Sequence, residues 1–287
     1  MSGAQKDETN ITAGHTPPET LFPQTCPKPS IRVPEGLAQK PREKDLFTSV
    51  CSSVKPSSVL EIGSWLGASA LGWHKAATKL GQTSKIYCID TWLGSPEHFL
   101  ETHGKEWGKD KLLISERGPQ FFEGFLSNIH RWGCGDSIVP MRADSQSALK
   151  YLSANKALFD VIYVDGAHDE ISVYMDITLS FQVLQKGGII CGDDFGWPSV
   201  RTGLFLAISD NSVPNLKVMF NGPDFVIISP ENNHYNEFFR NRGFKQWKPL
   251  REQLSTIVRF CIKKTGFAIR KKAGFYKPKN NRPLNKN

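Results

Sequence analysis

Between Pro56 and Ile228 the chain alternates short apolar runs with segments whose apolar positions recur at helical spacing. The apolar runs predict seven strands: Ser57–Ile62, Lys85–Asp90, Ser137–Met141, Phe159–Val164, Gly188–Cys191, Lys217–Phe220 and Asp224–Ile228. The periodic segments predict helices at Gly36–Val54, Ala68–Leu80, Phe121–Trp132, Ser145–Ser153, Glu170–Leu184 and Ser199–Ser209. Runs rich in Val and Ile are typical of parallel strands that are buried on both faces.

This order of elements indicates an α/β fold. Strand–helix alternation implies right-handed crossovers and helices on both faces of a parallel sheet. The last two strands are separated only by NGPD, which predicts an antiparallel hairpin. We therefore expect a Rossmann-like, doubly wound fold with a mostly parallel seven-stranded sheet and a terminal antiparallel hairpin.

Charge and composition divide the chain into three regions. Residues 1–35 are rich in Pro, Thr and Lys without periodicity, and we interpret them as a disordered or loosely attached leader. Residues 36–230 form the predicted domain. Residues 231–287 form a basic extension, in which positions 240–287 hold 15 Lys or Arg and one acid, a charge of +14. Since the whole chain carries +8, positions 1–239 carry 8 − 14 = −6, so the basicity belongs to the extension.

Three interpretations of the extension remain open. It is a solvated charged segment, an amphipathic helix over Glu252–Arg270 that contacts anionic membrane, or a segment that binds nucleic acid through phosphates. We favour the first and disfavour nucleic acid. No apolar run reaches the ~18 residues of a membrane span, and the N-terminus lacks the pattern of a secretory signal. The six Cys are scattered without CxxC pairs, which favours a reduced, cytoplasmic protein.

The loop after the first strand has the features of a nucleotide-binding turn. In VLEIGSWLGAS, Glu61 lies at the strand end, and Gly63 and Gly67 lie in the turn that opens a helix. Glycine allows a ligand to approach the backbone and the helix N-terminus. Asp90 ends the second strand, where an acid can bind a ribose diol. The GxxxG spacing differs from the dinucleotide fingerprint, because Trp65 takes the place of its second glycine. It therefore favours S-adenosylmethionine over NAD.

A cluster of acids follows two later strands. Asp165 ends FDVIYVD, and Asp193 and Asp194 end IICGDD. Adjacent parallel strands end side by side, so these carboxylates should meet in one cleft, where they repel each other unless protonated or bridged by a cation. Oxygen ligands without a Cys pair favour Mg²⁺ or another divalent cation. The alternative for any one of these aspartates is a helix cap.

His168 lies three residues after Asp165 and is the candidate general base, because its ordinary pKa suits proton removal near neutral pH. His98, His103 and His130 lack an acidic context. The loop from Thr91 to Gln120 is long for such a connection and could cover the site. Its Trp92 and Trp107 could stack on a ligand or pack the loop onto the domain.

Together these motifs resemble class I methyltransferases. The resemblance covers roughly Glu35 to Pro230 and is closest to the macrocin O-methyltransferase and cephalosporin hydroxylase-like group, and more distant to catechol O-methyltransferase. VLEIGSWLG looks like the first cofactor motif, which implies cofactor contacts for Glu61, Gly63, Ser64 and Gly67, and CIDTW looks like the second, with Asp90. RADSQSA is similar to the adenine-contacting segment, which implies Asp144, Ser145 and Gln146 near the base.

The resemblance also implies roles in catalysis. VDGAHDE and GDD match the segments that carry metal ligands, so Asp165, Asp193 and Asp194 take that role and His168 that of the base. The implied reaction is metal-assisted methylation of a hydroxyl on a sugar, a glycan or a secondary metabolite, with phenols second. The main rival is a non-catalytic or RNA- or membrane-associated protein with the same fold and a basic tail. An NAD oxidoreductase is disfavoured by the loop, and a metal-dependent hydroxylase by the lack of a 2-His-1-carboxylate set. A homo-oligomer remains open.

Overall fold

A computed structural model describes residues 22–31, 35–95, 114–115, 118–211, 213 and 215–248. Its helices are α1 (Asp45–Val54), α2 (Ala68–Lys79), α3 (Phe121–Arg131), α4 (Ser145–Ala154), α5 (Glu170–Ser180), α6 (Pro198–Asp210) and α7 (Tyr235–Arg240). Its strands are β1 (Ser58–Ile62), β2 (Lys85–Asp90), β3 (Ile114–Ser115), β4 (Gly118–Pro119), β5 (Ile138–Arg142), β6 (Phe159–Val164), β7 (Leu184–Gly192), β8 (Lys217–Asn221), β9 (Asp224–Ile228) and β10 (Lys245–Gln246).

The main sheet has the strand order β10-β8-β9-β7-β6-β1-β2-β5. The five strands from β7 to β5 in this order pair in parallel, whereas β9, β8 and β10 are added antiparallel. The order reverses direction at β1, so the chain winds outward first to β5 and then back past β1 to β6 and β7. In such sheets ligands bind outside the carboxyl ends of the strands near this reversal. The predicted α/β, doubly wound, mostly parallel fold is confirmed.

Two details differ from the sequence prediction. The described part of the sheet has eight strands, because Lys245 and Gln246 pair with Phe220 and Met219 at the edge. A two-residue strand inside a basic segment has no apolar pattern that could reveal it. The fifth helix ends at Ser180 and β7 begins at Leu184, earlier than the predicted Gly188. Here the pairing with β6 has a bulge. In the sequence the two glycines of QKGG resemble a turn, so the pattern predicts the start of the strand too late.

Helices cover both faces of the sheet and bury one core on each. On one face the core contains Leu46, Phe47, Trp73 and Phe125, from α1, α2 and α3. On the other face α4, α5 and α6 bury a second set of apolar residues, among them Leu149, Ile177 and Leu204. Because the strands are buried on both faces, only their ends face a cleft, and the chemistry is confined to the loops there.

Part of the predicted leader packs on the domain. The amide of Cys26 donates to the carbonyl of Gly135 at 2.9 Å, and the ring of His130 contacts the carbonyls of Cys26 and Pro27. His130 therefore ties residues 26 and 27 to the end of α3, away from the acid cluster. The chain divides into two units, Met1–Trp247 and Lys248–Asn287, and the basic segment from residue 249 onward lies outside the described residues. No helix of the described ranges has the length and apolarity needed to cross a bilayer.

Candidate active site

A cavity of about 630 Å³ opens at the carboxyl ends of β1, β2, β5, β6 and β7. Nine of the site residues that the sequence predicts line it: Gly63, Ser64, Asp90, Asp144, Ser145, Asp165, His168, Asp193 and Asp194. The other three predicted residues, Glu61, Gly67 and Gln146, are not part of its wall. The topology thus brings the candidate cofactor loop and the acid cluster to one space.

The loop after β1 depends on Gly63. Its φ is +85°, and a Cβ atom there would lie 2.1 Å from the carbonyl oxygen of Asp165. A side chain would therefore be strained and would also collide with the backbone that follows β6. Gly67, with φ +86°, precedes the first residue of α2 and allows the chain to enter that helix.

Asp90 organises the same loop. Its Oδ2 accepts hydrogen bonds from the amides of Ser64 (2.9 Å) and Trp65 (2.7 Å), and its Oδ1 accepts one from the amide of Trp92 (2.7 Å). Sequence reasoning assigns Asp90 to a ribose diol. The structure adds that the same carboxylate holds the backbone of the loop after β1.

Glu61 lies behind the loop and is fully buried. Ser64 donates its hydroxyl to Glu61 Oε2 at 2.7 Å, and Cys88 lies 3.5 Å from the same oxygen. Burial raises the pKa of Glu61, although the hydroxyls of Ser69 and Ser64 oppose this. Ser64 and Ser69 both line the cavity, so Glu61 can influence a ligand through these two hydroxyls.

The segment after β5 begins α4. Asp144 caps the helix by accepting a hydrogen bond from the amide of Ser147 at 2.9 Å, and this bond holds the pKa of Asp144 below its ordinary value. Ser145 lies beside Asp144 on the cavity wall and donates its hydroxyl to Asp176 Oδ1 at 2.5 Å. Asp176 was not among the predicted site residues.

Two cations of the chain itself neutralise part of the acid cluster. Arg42 lies 3.3 Å from Asp165 Oδ2 and 3.2 Å from Asp193 Oδ2, and Lys44 lies 2.6 Å from Asp193 Oδ2. Lys44 also contacts Asp224 Oδ1 at 2.7 Å. Sequence reasoning missed both cations, because PREKDL reads as an ordinary charged stretch before a helix.

The neutralisation is incomplete at Asp165. Burial, together with the charge of Asp193, raises the pKa of Asp165 to about 8, in spite of the opposing charge of Arg42. At neutral pH this carboxyl therefore retains a proton unless a further cation approaches it.

His168 and Asp194 form the second part of the cluster. Their Nε2 and Oδ2 atoms lie 2.8 Å apart, and the ring of His168 stacks on Trp197 with centroids separated by 5.0 Å. Burial acts to raise the pKa of Asp194, but the hydrogen bond and charge of His168 outweigh it and lower the pKa overall. Asp194 is therefore ionised and can orient the imidazole.

The donor set fits a divalent cation. Asp165, His168 and Asp194 each offer a ligand atom, and these atoms lie within 4.8 Å of one another. The two carboxylates suit Mg²⁺ or Mn²⁺, whereas an imidazole is a ligand more typical of Zn²⁺ and other transition metals. Asp193, the third predicted ligand, directs Oδ2 at Arg42 and Lys44 instead.

The long loop after β2 is described only in part. Trp92 is buried, donates its indole N–H to the carbonyl of Trp65 at 2.6 Å and packs on Phe122 and Phe125, so it holds the loop to the domain as well as lining the cavity. His98, His103 and Trp107 lie outside the described residues.

Residues 60–195, which include every predicted site residue, match the family profile described as a methyltransferase domain. This stretch, just under half of the chain, is similar to methyltransferase domains. The match begins in β1 and ends just beyond Asp194, so it spans the loop after β1 and the acid cluster.

Two curated fungal relatives are similar to the chain. The O-methyltransferase ankF of Aspergillus thermomutatus is 24% identical over 175 residues, which is 61% of this chain and 58% of that protein. The O-methyltransferase hkm8 of Aspergillus hancockii is 20% identical over 158 residues, which is 55% of this chain and 50% of that protein. The chain thus matches between half and three fifths of the length of these relatives.

Solved structures give weaker similarities. The SAH-bound Podospora anserina methyltransferase PaMTH1 is 15% identical with a TM-score of 0.42, and the match covers 63% of this chain and 75% of that one. The Bacillus cereus O-methyltransferase in complex with SAH is 15% identical with a TM-score of 0.43, covering 70% and 83% of the two chains.

Proposed function

We propose that the protein is an S-adenosylmethionine-dependent O-methyltransferase that acts on a hydroxyl of a small molecule. One observation carries the proposal: a single cavity joins the glycine loop with Asp90 to the Asp165–His168–Asp194 cluster. The first group suits a nucleoside, and the second suits a hydroxyl that must lose a proton. Both curated relatives are named O-methyltransferases, which agrees with this chemistry.

The reaction would be a direct in-line transfer. The loop after Gly63 and the carboxylate of Asp90 would hold the cofactor, with its adenine toward Asp144 and Ser145, which line the cavity. His168, oriented by Asp194, would remove the proton of the acceptor hydroxyl while the sulfonium methyl passes to that oxygen. Positioning the two reactants supplies much of the rate enhancement in such a transfer, up to about 7–11 kcal/mol for well-oriented groups.

A divalent cation, for which we favour Mg²⁺, would be held by the carboxylates of Asp165 and Asp194, with Asp193 nearby. When bound, such an ion lowers the pKa of a hydroxyl ligand and orients it. Burial and the charge of Asp193 raise the pKa of Asp165, and a bound cation would act in the opposite direction. Arg42 and Lys44 form ion pairs with Asp165, Asp193 and Asp224, so they neutralise only part of the cluster's charge.

For the acceptor we favour a sugar, a glycan or a secondary metabolite, with phenols as the next class. A cytoplasmic location, a homo-oligomer and peripheral membrane contact of the basic extension stay predictions from the sequence. The alternative is a non-catalytic or RNA-associated protein that keeps the fold. The intact cluster around Asp165 argues against it.

The test is transfer of radiolabelled methyl from S-adenosylmethionine to a panel of sugar and phenol hydroxyls by the full-length protein. We expect Mg²⁺-dependent labelling of one acceptor class, abolished by EDTA and restored by added Mg²⁺. Labelling that is unaffected by EDTA would contradict metal assistance and leave methyl transfer intact. Absence of labelling across the panel, together with salt-sensitive RNA binding, would favour the alternative.

A further inference from the structure

Asp176 is a buried carboxylate that the proposed mechanism does not use. It lies in α5, is 2% exposed and forms part of the cavity wall. Ser145 donates to its Oδ1 at 2.5 Å, whereas no described residue donates a hydrogen bond to Oδ2. Oδ2 is not among the fully enclosed polar atoms of the described residues, so it is open to the cavity. A ligand in the cavity that carries an N–H donor can therefore hydrogen-bond to it.

The position of Oδ2 indicates where that ligand lies. A Cβ atom on Gly166, directly after Asp165, would lie 3.3 Å from Asp176 Oδ2. Asp144 and Ser145 at the start of α4 line the same end of the cavity. Asp176 thus faces the end of the cavity bounded by the loops after β5 and β6, with Ser145 hydrogen-bonded to its other oxygen.

We propose that Asp176 recognises the adenine of the cofactor by accepting a hydrogen bond from its 6-amino group through Oδ2. This inference rests on the proposed function, which places the adenine beside Asp144 and Ser145. The 6-amino group is the N–H donor on the Watson–Crick edge of adenine, and a carboxylate can only accept. Asp90, beside the loop after β1, would bind the ribose at the other end of the nucleoside. Asp176 would then recognise the base and Asp90 the ribose.

The alternative is that Asp176 serves only to pack α5 against α4 through Ser145. The two roles differ in their dependence on the ligand. A packing role changes the affinity for every nucleoside by the same factor, whereas a recognition role changes it only for nucleosides with a 6-amino group. A site built around a charged hydrogen-bond acceptor discriminates by about 10–100-fold against a ligand that lacks the donor.

The experiment is a ligand-by-variant cycle measured by calorimetry on the full-length protein. The ligands are S-adenosylhomocysteine and its analogue with hydrogen in place of the 6-amino group. The variants are Asp176→Ala and Ser145→Ala, because both break the Ser145–Asp176 hydrogen bond but only the first removes Oδ2. Asp176→Asn is the variant to use if Asp176→Ala does not fold, since a neutral amide acceptor is weaker than a carboxylate.

We expect the wild type to bind the amino ligand about 10–100-fold more tightly than the analogue. The ratio should approach one in Asp176→Ala, fall in Asp176→Asn and persist in Ser145→Ala. An unchanged ratio in the Asp176 variants, or equal loss of it in Ser145→Ala, would overturn recognition by Asp176 and leave the proposed function standing. Failure of the wild type to bind either ligand would contradict the proposed function and this inference with it.

Discussion

Lys44 Nζ lies 2.6 Å from Asp193 Oδ2, so an internal ion pair occupies one of the carboxylates expected to bind metal. Both side chains are about nine-tenths buried. Lys44 lies in the segment before α1. This segment is therefore a structural component of the candidate active site.

The ion pair predicts a large effect on stability. Lys44→Met should lower the free energy of unfolding by about 3–5 kcal/mol, because it leaves Asp193 and Asp224 buried without their shared cation. Urea unfolding measures this change. The matched control is Lys75→Met, which removes an exposed pair with Glu43 and should change stability far less than Lys44→Met. Equal effects of the two variants would show that Lys44 does not stabilise the cluster.

Gly63 allows a second comparison. Gly63→Ala should destabilise the protein by several kcal/mol and abolish cofactor binding, because the new methyl would meet the carbonyl of Asp165 at 2.1 Å. Gly81 has a similar φ of +67° with open space around it, so Gly81→Ala should cost only the backbone strain of about 1–2 kcal/mol. Thermal denaturation and cofactor titration are carried out on both variants. The difference between them gives the effect of the collision with Asp165, because only the backbone strain is common to both. Retained cofactor binding in Gly63→Ala would contradict the loop's role.

Asp176 predicts a pH dependence of stability. Burial raises its pKa to about 6, so the folded state holds its proton more tightly than the unfolded state, whose pKa is ~3.9. Its contribution is fully present below about pH 4 and is lost as the pH rises through about 6. The loss amounts to about 3 kcal/mol at most, from two pKa units. The free energy of unfolding of the wild type should therefore fall relative to that of Asp176→Asn between pH 4 and 6. Above pH 6 the difference between the two proteins should stay constant. Urea titrations that stay parallel throughout would contradict the raised pKa.

His168 predicts a change in turnover rather than in cofactor affinity. His168→Ala should lower kcat by about 10²–10⁴-fold, the usual contribution of a general base, with little change in binding of S-adenosylhomocysteine. The control is His234→Ala, because His234 is exposed and outside the cavity wall. Near-normal turnover in His168→Ala would remove it from the mechanism.

The parts of the account that the sequence predicts are those with local signals. Apolar runs located β2, β6 and β9 at their observed bounds, and carboxyl-end aspartates such as Asp90 and Asp165 follow from strand topology. Lys44 and Asp176 could not be found this way. The first meets Asp193 across about 150 residues of chain, and the second lies in the middle of a helix, where an acid usually marks a solvated face. Both roles arise only when the elements pack, which periodicity does not encode.

The most direct test of the account is calorimetric titration of S-adenosylmethionine into the purified full-length protein, with Gly63→Ala and Gly81→Ala alongside. We predict one site with micromolar affinity in the wild type and in Gly81→Ala, and no binding in Gly63→Ala. Absence of binding to the wild type at millimolar cofactor would contradict the claim that this cavity is the site of a methyltransferase.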